Sequence, residues 1–408
     1  MEPLTDLLPA EAFAASTDGW VAAGSGTRPE LVVRPGSTEE VASVMSWASR
    51  EGVGVLGVGS GRWADPVLSS DPYVVLTTAR LTGIKSYEPA DLTFTAGAGT
   101  LLSTVDDKLL EHGQWTPFDP PHAPERSVGG LVATGDSGPL WMGYGELRNH
   151  VLGMTVVTGD GRVLELGGSV VKNVAGYDVV KPMVGSLGSL GIVTAACVRA
   201  FPCPTVDRVL VLRGESLAQL VGHSCAIGTA PVLPASSVLV DRMDALGGGA
   251  ALVVRLHGAG PTVDADQATL EAHLGCELEV VSSPDQVRVT ARDHCADAPA
   301  VFIASALPSR LGEVLSVLDP LDPSGLAIDT YSGRVRVGAP NADVDVVRSA
   351  RDSIEQLGGA LRVERIPGVG SWDDLSSEAS TDELDLTARL QDVFDPSGVL
   401  WPARRMSR

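Results

Sequence analysis

Residues 166–193 read LGGSVVKNVAGYDVVKPMVGSLGSLGIV, with Gly167, Gly168, Gly176, Gly185, Gly188 and Gly191 set among apolar residues and only Lys172, Asp178 and Lys181 charged. Glycine loses more conformational freedom on folding than any other residue, so this density belongs where backbone takes positive φ or comes close to something else. Two readings fit the stretch: a bulky bound group, or a run of tight turns between buried strands.

At 408 residues the chain exceeds what one hydrophobic core organises, and two domains are expected. Its 30 Lys and Arg face 51 Asp and Glu, a formal net charge of −21. That balance argues against nucleic acid or an anionic membrane face as partner, since both demand clustered cations. Residues 1–25 hold Glu2, Asp6, Glu11 and Asp18 and no Lys or Arg, the wrong charge for a secretory or transit peptide. No apolar run reaches the roughly 20 residues of a membrane span, so a cytoplasmic location is expected. Cys197, Cys203, Cys225, Cys276 and Cys295 are odd in number and lack CxxC spacing, so no disulfide framework, zinc site or iron–sulfur site is expected.

After an apolar strand at 31–33, Pro35 and Gly36 turn the chain and Ser37 or Thr38 can cap a helix. Its apolar positions Val41, Val44, Met45 and Ala48 recur at helical spacing. Gly52 ends the helix, 53–56 reads as a buried strand, and Gly57, Gly59 and Gly61 open a loop around Ser60. Such a loop can turn several N–H groups toward phosphate oxygens. No GKS or GKT follows it, and residues 62–66 do not open a helix, so it is neither a Walker loop nor a dinucleotide fingerprint. An ordinary turn is the alternative.

Short strands are expected at 73–77, 84–87 and 93–96 and a helix at 101–112, followed by a second glycine loop, DPPHAPERSVGGLVATGDSGP, at 119–139. His122 within it reads as a loop anchor. A hairpin follows at 151–157 and 163–166 around the turn 158–161. The chain then passes through the stretch at 166–193 into a strand at 192–199, and Pro202 and Pro204 mark a boundary. Beyond it strands and helices alternate (208–214, 216–228, 250–258, 264–275, 299–306, 309–319), an α+β pattern. The acidic, Ser-rich segment 371–385 reads as a solvated loop, and a helix at 383–394 leads to DPSGVLWPAR.

Three glycine loops separated by strands, then KNVAGYDVVKPMVGSLGSLGIVT, then DPSGVLWPAR, taken in this order, resemble the FAD-binding oxidoreductases of the vanillyl-alcohol oxidase / p-cresol methylhydroxylase superfamily. Within it the likeness is to the FAD-binding subunit type of bacterial glycolate oxidase. It covers about residues 30–204 and the last dozen. The fold it implies is α+β: a PCMH-type FAD-binding domain of two α+β subdomains over 27–205, a smaller α+β cap or substrate domain over 206–385, and a C-terminal segment, 386–408, returning to the FAD domain. By the same resemblance Val58, Gly59, Ser60 and Gly61 would face the pyrophosphate. Ser127, Val128, Gly129 and Gly130, with Thr134, Gly135 and Ser137, would line the ribityl and phosphate groups. Lys172, Asn173, Gly176, Tyr177 and Asp178 would sit near the flavin, and Gly191, Ile192 and Val193 near the adenine. The first loop reads VGSGR where the family shows an unbroken GGGS, and the ending is WPAR where it shows NPGR.

The implied reaction is hydride transfer from the α-carbon of a small 2-hydroxy acid to flavin N5. No His or Cys occupies 55–66, where relatives attach flavin covalently, so FAD is expected to be non-covalent. The second domain lacks the HGDGNxH-type segment by which autonomous relatives hold a metal-bound substrate, having only RLHGAG at 255–260. No metal is expected. A larger flavoprotein subunit and an iron–sulfur subunit are the expected partners: the isolated chain is expected to bind FAD but to oxidise glycolate or D-lactate negligibly, with activity only in their presence. Lys172, Tyr177 and Arg148 are weak catalytic candidates. A stand-alone flavin oxidase or dehydrogenase, and a non-catalytic assembly subunit, are the alternatives.

Overall fold

The computed structural model describes residues 4–15, 29–61, 73–168, 178–341, 343–366 and 381–401. Three large sheets organise them. The first is parallel, with strands in the order Leu31–Val33, Tyr73–Thr77, Gly54–Val58, Leu400–Trp401. Parallel strands need a crossover, and helix Thr38–Glu51 supplies the one from Leu31–Val33 to Gly54–Val58, leaving room between them for Tyr73–Thr77. Ser37 caps that helix by accepting the Glu40 N–H at 3.2 Å, and Gly52 closes it at φ 67°. Val41, Val44, Met45 and Ala48 are its buried face. The last strand comes from the far end of the chain and pairs with Val55 and Leu56.

The second sheet is antiparallel, in the order Ile84–Glu88, Thr93–Gly97, Ile192–Arg199, Val151–Val157, Val163–Gly167. It abuts the first closely: a Cβ on Gly57 would stand 2.6 Å from Ile192 Cδ1, and Thr38 Oγ1 donates to Thr194 Oγ1 at 3.0 Å. Val157 and Ile192 join the core beneath the parallel sheet.

The third sheet is the largest, eight antiparallel strands in the order Glu279–Val280, Val206–Gly214, Ala250–Gly258, Ser236–Val240, Gly325–Asp329, Arg334–Ala339, Ala300–Ser305, Ala360–Arg365. Helices Leu217–Ile227, Gly260–Leu274, Leu311–Leu318 and Val344–Gln356 cover one face through Leu220, Leu270, Val314 and Ile354. Helix Pro284–Asp293 covers one end of the other face through Val287 and Ala291. The remainder of that face meets residues 119–143. There the Gly143 N–H donates to the Ala235 carbonyl at 3.1 Å, Trp141 Nε1 donates to the Asp329 carboxylate, and the His122 N–H donates to Asp293 at 2.8 Å.

The α+β architecture is as expected, and two local expectations change. Val128–Thr134, expected as part of a loop, is a helix, because Ser127 accepts the Gly130 N–H and Gly135 at φ 65° ends the turn. Residues 381 and 382, expected only within a solvated loop, begin the last helix, Thr381–Phe394, which was expected from 383. No described helix is long and apolar enough to cross a membrane.

Candidate functional site

The first two glycine loops come together. The loop at 58–61 leaves strand Gly54–Val58 and runs over the start of helix Val128–Thr134. A Cβ on Gly59 would stand 2.3 Å from Ser127 Oγ and 3.3 Å from Gly130 Cα, so only glycine permits this approach. The two loops differ in what their amides do. The N–H groups of Gly59, Ser60 and Gly61 donate to no backbone carbonyl among the described residues. By contrast Val128 donates to Thr100 at 2.9 Å, Gly129 to Ala98 at 2.7 Å, and Gly130 to Ser127 Oγ at 3.2 Å. The first loop therefore holds open donors, and the second brings a bare backbone surface against it. A diphosphate fits such a place, since it needs free N–H groups and no side chain in the way.

The third glycine stretch is described only in part. Lys172, Asn173, Gly176 and Tyr177 lie outside the described residues, and Asp178 is exposed. Farther on, Gly185 donates to Val132 at 3.0 Å and Leu187 to Ala133 at 2.8 Å, which docks residues 185–188 on the end of helix Val128–Thr134. Gly191 has φ 153°, and a Cβ there would stand 2.4 Å from Val156 Cγ1. Ile192 and Val193 begin the strand that abuts Gly57. Thr194 accepts the Ala98 N–H at 3.0 Å, and Ala98 in turn accepts that of Gly129. Gly191, Ile192 and Val193 are thus linked to Ser127–Gly130 through Thr194 and Ala98.

Past this helix the backbone enters a charged junction with the third sheet. Thr134 Oγ1 accepts from Arg126 Nη2 at 2.8 Å and donates to the Gly130 carbonyl, while Ser137 Oγ accepts the Leu147 N–H at 2.8 Å. Between them Asp136 is buried, 3% exposed. Arg334 Nη1 lies 3.9 Å from its Oδ1 and Arg336 Nη2 3.7 Å from its Oδ2. Burial opposes ionisation of Asp136, but the fields of Arg334, Arg336, Arg126 and Arg362 outweigh it and bring the carboxyl down to about 2. Arg336 also donates to Glu364 at 2.7 Å. The same rule of burial lowers the Arg126 and Arg362 guanidiniums.

A second junction lies nearer helix Pro284–Asp293. Asp207 accepts from Arg255 Nη2 at 2.8 Å and Arg288 Nη1 at 3.1 Å, with His257 Nε2 also 3.1 Å away. Despite its burial the carboxyl is held well below the usual range, His257 and Arg255 being the principal stabilisers of the anion. Asp119 accepts the Leu140 N–H at 2.8 Å, and burial pushes it up to about 7 against the pull of Arg255. Arg148, a catalytic candidate from sequence, is exposed and tied to the 180–183 turn: its Nη2 donates to the Lys181 carbonyl at 3.2 Å. His122 is an anchor, its Nε2 3.2 Å from Asp297.

Sequence reading missed Arg126, Asp136, Arg334, Arg336, Arg362 and Glu364. A signal was present: RVRVGA alternates cations with valines, which in a strand puts both arginines on the face opposite the core. Nothing local, however, said that this face meets Asp136. Among the described residues no group of His, Cys, Asp and Glu could hold a metal ion.

Comparison with known proteins adds to this geometry. The FAD binding domain family matches residues 29–167. Glycolate oxidase subunit GlcE of Escherichia coli K12 is 44% identical over 134 residues, 33% of this chain and 38% of that protein. D-lactate dehydrogenase of Archaeoglobus fulgidus is 33% identical over 174 residues, 42% of this chain and 39% of that protein. Glycolate oxidase subunit GlcD of Bacillus subtilis is 27% identical over 421 residues, 93% of this chain and 89% of that protein. The chain thus spans less than half the length of the first two. Among solved structures, an alkyldihydroxyacetonephosphate synthase shares the fold at TM-score 0.69 and 18% identity, covering 91% of this chain and 75% of that one.

Proposed function

We propose, from the match of residues 29–167 to the FAD binding domain family, that the chain is the FAD-binding subunit of a glycolate-oxidase-like dehydrogenase that oxidises a small 2-hydroxy acid. The observation that carries this reading is the open-amide loop at 59–61 pressed against the bare backbone of Gly130. In it Gly59, Ser60 and Gly61 hold the diphosphate by N–H donation beside Val58 at the end of its strand, and Gly129 and Gly130, following Ser127 and Val128, give close approach without a side chain. Thr134, Gly135 and Ser137 shape the adjoining wall through their backbone, the two hydroxyls being spent on Arg126, Gly130 and Leu147. Gly191, Ile192 and Val193 flank the adenine end; Lys172, Asn173, Gly176, Tyr177 and Asp178 belong to the flavin end.

Bound FAD supplies a hydride acceptor that no side chain can provide. The chain's part is to fix the acid beside it and to exclude water. FAD is held non-covalently, and a larger flavoprotein and an iron–sulfur subunit carry electrons away. The relatives named for glycolate, D-lactate and D-2-hydroxyglutarate support the substrate class.

The test is an anaerobic titration. The purified full chain, loaded with FAD, is mixed with glycolate or D-lactate and its flavin absorbance followed. Flavin that neither acid bleaches in the isolated chain, and that one acid bleaches once the partner subunits are added, is the expected result. Bound flavin that neither acid bleaches, alone or with those subunits, would overturn the reading.

A further inference from the structure

Residues 393–401 are held by both of the sheets that flank the proposed cofactor loops. On the side of the second sheet, the Val393 carbonyl accepts from Arg162 Nη2 at 2.7 Å and the Phe394 carbonyl accepts the Gly159 N–H at 2.8 Å. Phe394 is buried in that sheet's core with Val151, Met154 and Val156. Asp395 fills the place that a Cβ on Gly159 would take, so the hairpin turn and this residue meet without a gap. On the side of the first sheet, Val55 donates to the Val399 carbonyl at 2.7 Å, and Leu400 and Trp401 run parallel to Val55 and Leu56. Ser397 Oγ lies 2.7 Å from Ser49 Oγ on the crossover helix. Asp395 ties the two sides together. Its Oδ1 and Oδ2 accept the N–H groups of Val399 and Leu400, so the residue seated on Gly159 also sets the start of the last strand.

The span matters because the proposed cofactor loops belong to different sides of it. Strand Gly54–Val58 leads straight into the open amides of 59–61, with Tyr73–Thr77 on one edge and Leu400–Trp401 closing the other. The second sheet carries Ile192 and Val193 and, through Thr194 and Ala98, the start of the helix that holds Gly129 and Gly130. A diphosphate gripped by the amides of one side against bare backbone of the other feels a change in their separation, because N–H···O bonds weaken beyond about 3.2 Å. We infer that residues 393–401 are a clasp that sets the spacing of these loops, with Asp395 as its positioning residue, so that a closed clasp and bound FAD favour each other. This rests on the reading above that FAD lies between the loops, and adds to it a residue far outside the glycine motifs. Asp395 acts through Val399, Leu400 and strand Gly54–Val58, not by contact with the cofactor. Linkage makes the effect mutual: what the clasp adds to FAD affinity, FAD returns as resistance of the clasp to local opening.

The test sets FAD affinity against stability in the full chain. FAD is titrated by its fluorescence where circular dichroism shows each protein folded. Asp395→Ala should bind FAD at least ten-fold more weakly than wild type. Ile354→Ala, which opens a cavity in the core under the third sheet, should lower the denaturant midpoint by as much or more yet keep FAD affinity within two-fold. That contrast separates positioning from a general loss of stability. Asp395→Asn keeps one carbonyl acceptor and sets an amide donor against the other N–H, so its affinity should fall between wild type and Asp395→Ala. Hydrogen exchange of the wild-type chain needs no variant: saturating FAD should slow exchange at Val399, Leu400 and Trp401 at least ten-fold. A folded Asp395→Ala protein that binds FAD within two-fold of wild type would overturn the inference, as would equal losses of affinity in Asp395→Ala and Ile354→Ala. Exchange at 399–401 that FAD leaves unchanged would overturn it too, and decides the matter alone if Asp395→Ala fails to fold. The two readings fail differently. A wild-type chain that takes up no FAD contradicts the proposed function at its root, whereas tight FAD binding indifferent to Asp395→Ala contradicts the clasp alone. Flavin that neither acid bleaches even with the partner subunits, with the effects of Asp395→Ala intact, sinks the substrate reading and supports the clasp.

Discussion

Gly130 and Gly59 show how much a single missing Cβ decides. At Gly59 a methyl would meet Ser127 Oγ at 2.3 Å and at Gly130 one would meet it at 3.0 Å. The second is a contact that a hydroxyl rotation relieves. Gly130→Ala is therefore expected to fold, and to lose part of its FAD affinity because its methyl enters the bare surface offered to the diphosphate. Gly130→Asp places a carboxylate toward the proposed diphosphate and should lower FAD affinity at least a hundred-fold, which at about 1.4 kcal/mol per factor of ten is about 3 kcal/mol. Fluorescence titration of FAD into the two variants, with circular dichroism to confirm the fold, measures the difference. Equal affinities would show that no phosphate lies there. The sequence pointed to both glycines, because glycine density is visible without a fold. It was silent on the fate of the amides. That Val128 and Gly129 spend theirs on Thr100 and Ala98 depends on a strand end 28 residues or more upstream.

Among the elements, strand Leu400–Trp401 crosses back to the start of the chain on the strength of a local device. Asp395 accepts the N–H groups of Val399 at 3.0 Å and Leu400 at 2.8 Å, and Val55 donates to the Val399 carbonyl at 2.7 Å. A Cβ on Gly159 would stand 2.1 Å from Asp395 Oδ1, so the hairpin turn and this carboxylate are matched in shape. Asp395→Ala removes two bonds to a buried charge and should cost about 2–4 kcal/mol, read as a lower denaturant midpoint at unchanged slope. A loss under 0.5 kcal/mol would show that the strand is held otherwise. Elements with their own signals were legible: Ser37 and Gly52 bound helix Thr38–Glu51 as their residue types require. Helix Val128–Thr134 was hidden because two of its seven residues are glycine, which argues locally for a loop; its N-cap and packing overrule that. Strand Arg334–Ala339 carried the right alternation, yet its arginines gained meaning only from Asp136, about 200 residues away.

For the whole molecule, pH should act through the junction of helix Pro284–Asp293 with the third sheet. His294 Nε2 stands 2.7 Å from Asp241 Oδ1, which also accepts the Leu326 N–H at 2.9 Å. Burial works against a charged imidazole, but the bonds to Asp241 and to the Cys295 thiol prevail and raise His294 to about 9. Protonation is thus favoured by folding. Its stabilisation is complete below the unfolded value near 6.5 and is lost as pH rises through 9. The unfolding free energy of wild type, read from denaturant melts, should fall between pH 6.5 and 9.5 by at most about 3 kcal/mol from this pair, and Asp241→Asn should remove that part of the slope. Identical pH slopes in the two proteins would assign the dependence to other groups.

The central claim is that this chain carries FAD without a covalent bond and passes to it the hydride of a small 2-hydroxy acid. One preparation tests it most directly. The purified full chain is loaded with FAD, freed of excess by gel filtration and titrated anaerobically with glycolate, and a second portion is precipitated with acid. The account predicts one flavin per chain, bleaching of its absorbance by glycolate or D-lactate once the partner subunits are added, and yellow flavin released whole into the acid supernatant. A folded chain that emerges from gel filtration without flavin, or whose flavin stays with the precipitate, would contradict it.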